Sequence, residues 1–361
     1  MTKKWTLRKS PDKIPQELEF YPELVRNLLL LRGIQTKAEA EIYLDPNYER
    51  DLLNPFLMKD VDKAVQRLLL ALDKGERIVI FGDYDADGIP GSAILATFFS
   101  AINFNNYEVY IPDRHNEDYG LNEEKINDFV ASDVKLIITI DCGITDVSEV
   151  ALAQSQGIDV IITDHHLVPA ELPPAFAIVD AKQEGDLYPY KYLAGAGVMF
   201  KFVCAVLEKK RFDLPIGWEK WLLDLVAIAT VSDMVSLTGE NRLLALYGLK
   251  VLRQTKRLGL RSLLAKMKIK PASVTEDDIS FMIGPRINSA SRMSHASQAY
   301  YLLMTKDLAE AETIANHLEE KNKERKEAVE LIMQELSLLL DKQGANGELP
   351  SIIVAGSPNW N

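Results

Sequence analysis

Three aspartates stand in one short segment directly after an apolar run, and their spacing is the strongest chemical signal in the chain. The segment Phe81–Ser92 reads FGDYDADGIPGS and carries Asp83, Asp85 and Asp87. Packing three like charges so closely costs free energy unless a cation lies among them, and carboxylate oxygens are hard ligands that suit a divalent metal. An acidic turn without function is the alternative. A calcium loop of the EF-hand type also begins D-x-D-x-D-G, but Ile94 stands where that loop has its glutamate.

Two further motifs place acidic and imidazole side chains after apolar runs. Thr139–Gly143 reads TIDCG and contains Asp141, and Thr163–His166 reads TDHH and ends in His165 and His166. Each alone has an ordinary explanation, because an aspartate after a strand often caps the next helix and adjacent histidines can lie on a surface. Together the three motifs would place oxygen and nitrogen ligands side by side. Such mixed ligands suit Mn²⁺ or Mg²⁺, and two-metal sites commonly cleave phosphoesters.

The apolar runs before these motifs are predicted to be strands of one parallel sheet. Helix-sized segments lie between most of them, and this alternation predicts an α/β fold in which helices flank the sheet. Ligands collect beyond the carboxyl ends of the strands in such a sheet, which is where the three motifs would meet. The predicted strands are Arg77–Phe81, Val109–Ile111, Lys135–Ile140, Val160–Thr163 and Ala177–Val179.

The second half of the chain is predicted to be mostly helical and to end in a long connecting helix. Leu308–Leu340 has helical spacing, and its centre, Glu319–Glu327, is wholly polar. A stretch that is polar all round should cross solvent between two bodies. The strand-like segment Ser351–Ala355 is expected to open a further domain. The predicted regions are an N-terminal helical segment packed on the core (1–75), a domain with the sheet and the motifs (76–305), the connecting helix (306–345) and the start of a missing domain (346–361).

The composition is that of an ordinary globular chain. Its 361 residues are 47% apolar and 26% charged, which suits about two domains and excludes disordered, collagen-like and disulfide-scaffold proteins. No run approaches the ~18 apolar residues of a membrane span and no signal-peptide pattern is present, so we expect a cytoplasmic chain without membrane contact. Because the net charge is −12, local cations or metals must hold any anionic substrate.

Two other features have both a nucleic-acid-binding and a simpler explanation. Arg242–Lys270 holds nine Lys or Arg residues and no Asp or Glu; it could bind phosphates, but a solvated helix face is the default expectation. Trp218 and Trp221 are three residues apart, a spacing more typical of core packing than of base stacking. The chain has no GxxxxGK[ST], HExxH or GxSxG motif, so no covalent nucleophile stands out.

The ordered motifs resemble those of the DHH phosphoesterase superfamily, and in detail those of its RecJ branch of single-stranded-DNA exonucleases. GDYDADG, TIDCGI and DHH are accompanied, in order along the chain, by NLLLLRGI, LLNPFLMKDVDKAVQRL, IPDRHNEDYGLN, LAGAGVMFKF, ATVSDMVSL, IGPRINSASRMSHA and AGSPNW. The resemblance implies a DHH phosphoesterase domain at 76–305. It implies a phosphodiesterase that degrades single-stranded DNA from the 5′ end, using two Mn²⁺ or Mg²⁺ ions and a metal-activated water. It also implies a monomer with partners in DNA repair and recombination.

The same resemblance implies metal-binding roles for individual residues. Asp85 and Asp87 would bind separate metals, and Asp141 would bridge them. His165 and Asp233 would complete the shell of one metal. The implied catalytic set is Asp85, Asp87, Asp141, His165, His166 and Asp233, with Asp83 as a further metal ligand.

Substrate contacts are implied mainly by the motif IGPRINSASRM. A guanidinium group matches a phosphate better than an ammonium group does, and the alternative for an isolated arginine is a surface salt bridge. His166 would orient the site or touch the scissile phosphate, and Arg114 with Tyr119 would line the groove. The implied phosphate-binding set is Arg286, Asn288, Arg292, His166 and Arg114.

The chain departs from the family pattern at several points. Asp180-Ala181 stands where Asn-Pro is usual, and Ser291 replaces a glycine. The chain also stops where a second domain facing the metal site is expected. Three hypotheses therefore stay open: a RecJ-like exonuclease core, a related phosphodiesterase for short oligonucleotides or cyclic dinucleotides, and a RecJ-like nucleic-acid-binding module without catalysis.

Overall fold

A five-stranded parallel sheet lies at the centre of the computed structural model, which describes residues 6, 14–117, 119–344, 352–357 and 360. The order across the sheet is second, first, third, fourth and fifth strand along the chain. The predicted α/β fold with a parallel sheet is thus confirmed. The strands are β1 Arg77–Gly82, β2 Tyr107–Tyr110, β3 Val134–Ile140, β4 Asp159–Thr163 and β5 Ala177–Val179.

Side chains of β1 alternate between two apolar cores, one on each face of the sheet. Ile78 and Ile80 join the larger core, whereas Val79 and Phe81 join the smaller one. Because both faces are covered, the strand reads as a continuous apolar run rather than an alternating one. The helices along the chain are α1 Glu23–Leu30, α2 Lys37–Leu44, α3 Tyr48–Asp51, α4 Val61–Lys74, α5 Gly88–Ala101, α6 Glu123–Ala131, α7 Val147–Ser155, α8 Gly195–Lys209, α9 Leu223–Ser232, α10 Gly239–Leu252, α11 Leu258–Lys266, α12 Glu276–Asp278, α13 Gly284–Met293, α14 Ser297–Met304 and α15 Leu308–Gly344.

The larger core takes in residues of α4, α5, α8 and α9, and the smaller core takes in residues of α6 and α7. A buried ion pair ties the N-terminal segment to the larger core. Lys201 lies 2.8 Å from Glu240, and both side chains are fully buried. The Glu240 carboxylate also accepts a hydrogen bond from the main-chain nitrogen of Leu53. None of the described helices combines the length and the apolar character that a membrane span requires.

The long helix α15 is confirmed, but the prediction that its polar centre crosses solvent is wrong for its first half. This half packs on α11, α13 and α14. Leu318 and Asn322 are buried, and Glu319 pairs with Arg286 of α13. Polar residues of α15 can pack here because the buried Arg286 of α13 needs an acidic partner, which Glu319 supplies.

The described residues near the end of the chain do not form the strand predicted at Ser351–Ala355. Residues 352–355 belong to the segment predicted as a strand, but they have no regular secondary structure, so the prediction is wrong for them. Residues 345–351, 358, 359 and 361 lie outside the described part. The division of the chain into four regions stays a prediction.

Candidate metal centre

The carboxyl ends of three neighbouring strands bring the predicted motifs together. Hydrogen bonds continue the ladder past the strand ends: the main-chain nitrogen of Asp83 donates to Ile140 (3.1 Å), and that of Asp141 donates to Thr163 (2.9 Å). The main-chain nitrogen of Asp164 donates in the same way to Val179 (3.1 Å). The residues that follow β1, β3 and β4 therefore lie side by side at one edge of the sheet.

The loop after β1 is folded by its own aspartates and by α8. Oδ1 of Asp85 accepts hydrogen bonds from the main-chain nitrogens of Asp87 (2.7 Å) and Gly88 (3.1 Å). The Asp87 carboxylate accepts two more from Gly195 (2.6 Å) and Ala196 (2.7 Å) at the beginning of α8. The amino end of a helix favours a negative charge. The segment LAGAGVMF thus holds a carboxylate at the beginning of a helix.

Asp141 is held in an unusual backbone conformation at the centre of the site. Its φ of 63° lies in the left-handed region, which an L-residue enters at a cost. The hydroxyl of Tyr119 donates a hydrogen bond to the carbonyl oxygen of Asp141 (2.9 Å). A Cβ atom on Gly195 would lie 2.6 Å from Cβ of Asp141, so only glycine allows α8 to begin this close.

The ligand atoms form overlapping groups that share Asp141 and His165. In one group, Nε2 of His165 lies 3.7 Å from Asp87 and 3.9 Å from Asp233. The same atom lies 3.0 Å from Oδ1 of Asp141. Within each group, one ligand atom per residue lies within 4.8 Å of the others. The groups are Asp87, His165 and Asp233; Asp83, Asp85 and Asp141; and Asp141, His165 and His166.

The electrostatics of this cluster fit divalent cations. Burial and then Asp85 raise the pKa of Asp83 to about 7, and the same two causes raise the pKa of Asp233 to about 6. Burial and neighbouring carboxylates also raise the pKa values of Asp87 and Asp141 well above the usual range. Oδ1 of Asp83 is buried without a hydrogen-bond partner, and the buried Oδ1 of Asp141 has only the nearby Nε2 of His165. Buried acidic oxygens that lack partners in the protein are suited to metal ligation.

The two histidines have opposite protonation tendencies. Burial and the neighbouring His166 lower the pKa of His165 to about 4, so its imidazole is neutral and can ligate a metal. Nδ1 of His166 lies 2.7 Å from Asp164, and this hydrogen bond raises the pKa of His166. Burial alone would raise the pKa of Asp164, but its bonds with His166 leave it below the usual value.

Asn288 and Arg114 of the predicted phosphate-binding set border the loop 83–87, called the metal loop below, and the carbonyl oxygen of Arg292 contacts His115, next to Arg114. Oδ1 of Asn288 accepts a hydrogen bond from the main-chain nitrogen of Ala86 (2.8 Å), between the metal-loop aspartates. The exposed Arg114 guanidinium lies 5.1 Å from the ring centre of Tyr84. Arg292 is also exposed. Among the described residues, neither arginine has an acidic partner within salt-bridge distance.

Arg286 lies in different surroundings and is not free to bind a phosphate. Its side chain is buried, and its guanidinium forms two hydrogen bonds with Glu319 of α15 (2.6 and 3.0 Å). A third hydrogen bond goes to the carbonyl oxygen of Met282 (2.8 Å). Glu319 is 33 residues from Arg286 in the sequence, so the motif around Arg286 could not predict this pair.

Sequence reasoning did not assign roles to two residues beside the site. Asp164 positions His166, and the ammonium of Lys182 donates a hydrogen bond to the carbonyl oxygen of His165. Asp164 stands inside the TDHH motif and could have been assigned from it. Lys182 follows the fifth strand in an otherwise ordinary turn, and only the pairing of β4 with β5 brings it to His165.

Comparison with known proteins agrees with this geometry. Residues 77–230, which contain the parallel sheet and all three motifs, match the N-terminal domain of the DHH family. The chain is 38% identical over 362 residues to the single-stranded-DNA-specific exonuclease RecJ of Bacillus subtilis, which covers 99% of this chain and 44% of that protein. The RecJ of Escherichia coli is 33% identical over 96% of this chain and 60% of its own length.

Solved structures of RecJ proteins are similar to the structure of this chain. A RecJ from Thermus thermophilus in complex with Mn²⁺ has a TM-score of 0.74 and 33% identity, covering 89% of this chain and 44% of that one. A structure of exonuclease RecJ bound to manganese has a TM-score of 0.70 and 35% identity, covering 77% of this chain and 69% of that one. The chain belongs to the RecJ family. It spans about half the length of the curated relatives that it matches, from 44% to 62% for the first four.

Proposed function

We propose that this chain is the catalytic core of a metal-dependent exonuclease that removes nucleotides from the 5′ end of single-stranded DNA. The observation that carries the proposal is the set of overlapping ligand groups that share Asp141 and His165, together with a buried oxygen of Asp83 that accepts no hydrogen bond. Membership of a family whose relatives are named single-stranded-DNA-specific exonucleases supports the substrate. Retention of the predicted ligands in one cluster speaks against a module without catalysis.

The proposed metals are two Mn²⁺ or Mg²⁺ ions. One would be held by Asp87, His165 and Asp233, the other by Asp83 and Asp85, and Asp141 would serve both. RecJ structures solved with Mn²⁺ and with Mg²⁺ support this choice. Bound divalent ions lower the pKa of water and neutralise charge that develops on a phosphate during hydrolysis.

The protein groups around the metals would orient the reaction. The neutral His165 and the anchored carboxylate of Asp87 form a fixed frame, because their hydrogen bonds leave little freedom to move. His166 keeps Nδ1 bonded to Asp164, so its Nε2 can hold a proton toward the scissile phosphate. Its side chain is 48% exposed, which a contact with substrate requires.

Arg114, Arg292 and Asn288 would hold the phosphates of the strand that enters the site. The two arginines are exposed and Arg114 borders the metal loop, so they can neutralise phosphates of the strand. Asn288 would act partly through Ala86, since its hydrogen bond fixes the loop between Asp85 and Asp87. We leave Arg286 out of this set because Glu319 neutralises it. The chain is proposed to work as a cytoplasmic monomer alongside DNA repair and recombination proteins.

An end-labelling assay tests the function. We expect a single strand with a 5′ label to release labelled mononucleotide at once in Mn²⁺, and a strand with a 3′ label to release it last. Release from the 3′ end first, or cleavage of dinucleotides but not of long strands, would contradict the proposal. Asp141→Ala should abolish the release of nucleotides without lowering the melting temperature of the metal-free protein. The control is Asp277→Ala, at an exposed aspartate on α12, which should release nucleotides as the wild type does.

A further inference from the structure

A cavity lies at the other end of α5 from the metal centre. Asp87 directly precedes α5, whereas Thr97 and Ser100, near the end of that helix, line the cavity. At 1.5 Å per residue, the two places are about 15–20 Å apart along the helix axis. The cavity has a volume of about 640 Å³, which is large enough for a nucleotide. It is therefore separate from the proposed site of hydrolysis.

One wall of this cavity is an exposed aromatic ring. Trp221 is 48% exposed, which differs from the core packing expected from its spacing. Trp218 does pack inward, with its ring 6.3 Å from that of Phe98. The ammonium of Lys256 lies 5.0 Å from the ring centre of Trp221. A large ring beside a cation is a common platform for a nucleic-acid base next to its phosphate.

The charged groups around the cavity favour an anion. Three cations line it, together with one carboxylate, Asp224. That carboxylate is buried and already bonded by the hydroxyl of Thr255 (2.9 Å) and by Arg257 (3.2 Å). Lys256 and Lys306 are exposed and pair with no acidic group in the described part of the chain. Two cations without an acidic partner, one of them over the ring of Trp221, thus line the cavity in a protein whose net charge is −12.

The basic stretch Arg242–Lys270, to which the cavity residues Lys256 and Arg257 belong, supplies further cations on either side of them along the chain. Apart from Arg257, which bonds Asp224, none of its cations lies within salt-bridge distance of a described acidic side chain. Arg253, Arg261 and Lys266 are exposed. A polymer with many phosphates can use several exposed cations, whereas a single small anion cannot.

We propose that this cavity binds one nucleotide unit of single-stranded nucleic acid. The base stacks on Trp221, the adjoining phosphate lies between Lys256 and Lys306, and the strand continues over the basic stretch. The site would hold a part of the strand other than the end being hydrolysed. It does not depend on the proposed hydrolysis, because binding requires neither metal nor cleavage.

The test is the binding of a fluorescent oligothymidylate of about ten nucleotides to the full chain in excess EDTA. We expect Trp221→Ala to weaken binding about 5- to 100-fold and Trp221→Phe to weaken it less. Lys256→Ala should weaken binding and reduce the slope of log affinity against log salt concentration by about 1, the loss of one phosphate contact. The matched controls are Tyr301→Ala, a half-exposed aromatic residue on α14, and Lys326→Ala, an exposed lysine on α15; both should bind as the wild type does.

Unchanged binding by Trp221→Ala and Lys256→Ala, with melting temperatures like that of the wild type, would overturn the proposal. It would also be overturned if an acidic peptide with an aromatic residue bound in a Trp221-dependent way while the oligonucleotide did not. Hydrolysis of a dinucleotide in Mn²⁺ should be the same for Trp221→Ala and the wild type. A chain that hydrolyses nothing but loses binding in Trp221→Ala would refute the proposed function and leave this inference standing.

Discussion

At the scale of single residues, the candidate site stores free energy in carboxylates that the protein alone does not satisfy. Oδ1 of Asp83 is buried without a hydrogen-bond partner, Oδ1 of Asp141 has only the neutral His165 beside it, and such groups are costly to bury. Asp141 adds a left-handed backbone conformation. Strained and unsatisfied groups cluster where a ligand is to be bound. The free energy of unfolding of the metal-free protein should therefore be lower than that of the protein with metal bound.

Replacement of Asp83 should reveal this cost as a dependence on pH. Because the pKa of Asp83 is raised to about 7, the folded metal-free chain holds a proton that the unfolded chain releases near pH 4. The contribution of Asp83 to the free energy of unfolding thus falls as the pH rises from about 4 to 7. We expect metal-free Asp83→Asn to melt above metal-free wild type at pH 8 and the difference to shrink toward pH 4. Calorimetry in EDTA measures this. The control Asp277→Asn should show no such trend, and a constant difference for Asp83→Asn would refute the raised pKa.

The hydroxyl of Tyr119 should matter through the backbone of Asp141. Tyr119→Phe removes only the hydrogen bond to the Asp141 carbonyl, which is worth about 0.5–1.5 kcal/mol. Because the bond holds Asp141 in its ligating conformation, we expect its loss to weaken Mn²⁺ binding by about 2- to 10-fold and to lower the melting temperature by at most a few degrees. Titration calorimetry with Mn²⁺ measures the affinity. Tyr301→Phe, on α14, is the matched control, and equal affinities for Tyr119→Phe and wild type would show that the bond does not position Asp141.

At the scale of secondary-structure elements, helix ends and helix pairs place the ligands. The beginning of α8 fixes Asp87 through two main-chain nitrogens, and α13 fixes the metal loop through Asn288. α15 in turn holds α13 through the pair Glu319 and Arg286. A residue far from the metals can therefore affect the site by loosening one of these contacts.

Removal of the Glu319 charge tests the contact between α13 and α15. Glu319→Gln leaves the buried guanidinium of Arg286 without its anion, and we expect the free energy of unfolding to fall by about 1–3 kcal/mol. Urea unfolding measures the loss. Glu327→Gln, which breaks an exposed pair with Lys323 on the same helix, should cost less than about 0.5 kcal/mol. Equal effects of the two variants would mean that Arg286 is not held by α15.

At the scale of the whole molecule, Leu53 of the N-terminal segment bonds to a buried ion pair of the larger core. Lys201 and Glu240 are both fully buried, and the Glu240 carboxylate also accepts bonds from Tyr188 and Leu53. Glu240→Gln should lower the free energy of unfolding by about 3–5 kcal/mol, since it leaves a buried ammonium unpaired. Glu49→Gln, whose pair with Lys220 is exposed, is the control and should cost at most about 1 kcal/mol. Similar losses in the two variants would contradict the account of this junction.

The sheet and the positions of the ligands could be predicted because both follow local patterns. The apolar runs predicted strands, and parallel strands align their carboxyl ends, so Asp83, Asp141 and His165 had to meet. The partners of Arg286 and the exposure of Trp221 could not be predicted in this way. They depend on packing between segments far apart in sequence, such as α13 with α15 and Trp221 with Lys256, which no local spacing encodes.

The most direct measurement of the central claim is the number of Mn²⁺ ions bound per chain. Equilibrium dialysis at neutral pH should give two Mn²⁺ ions per wild-type chain and fewer, more weakly bound, for Asp141→Asn, because that carboxylate serves both ligand groups. Wild-type chains that bind no Mn²⁺ at millimolar metal, or an Asp141→Asn variant that binds two as tightly as wild type, would contradict the claim.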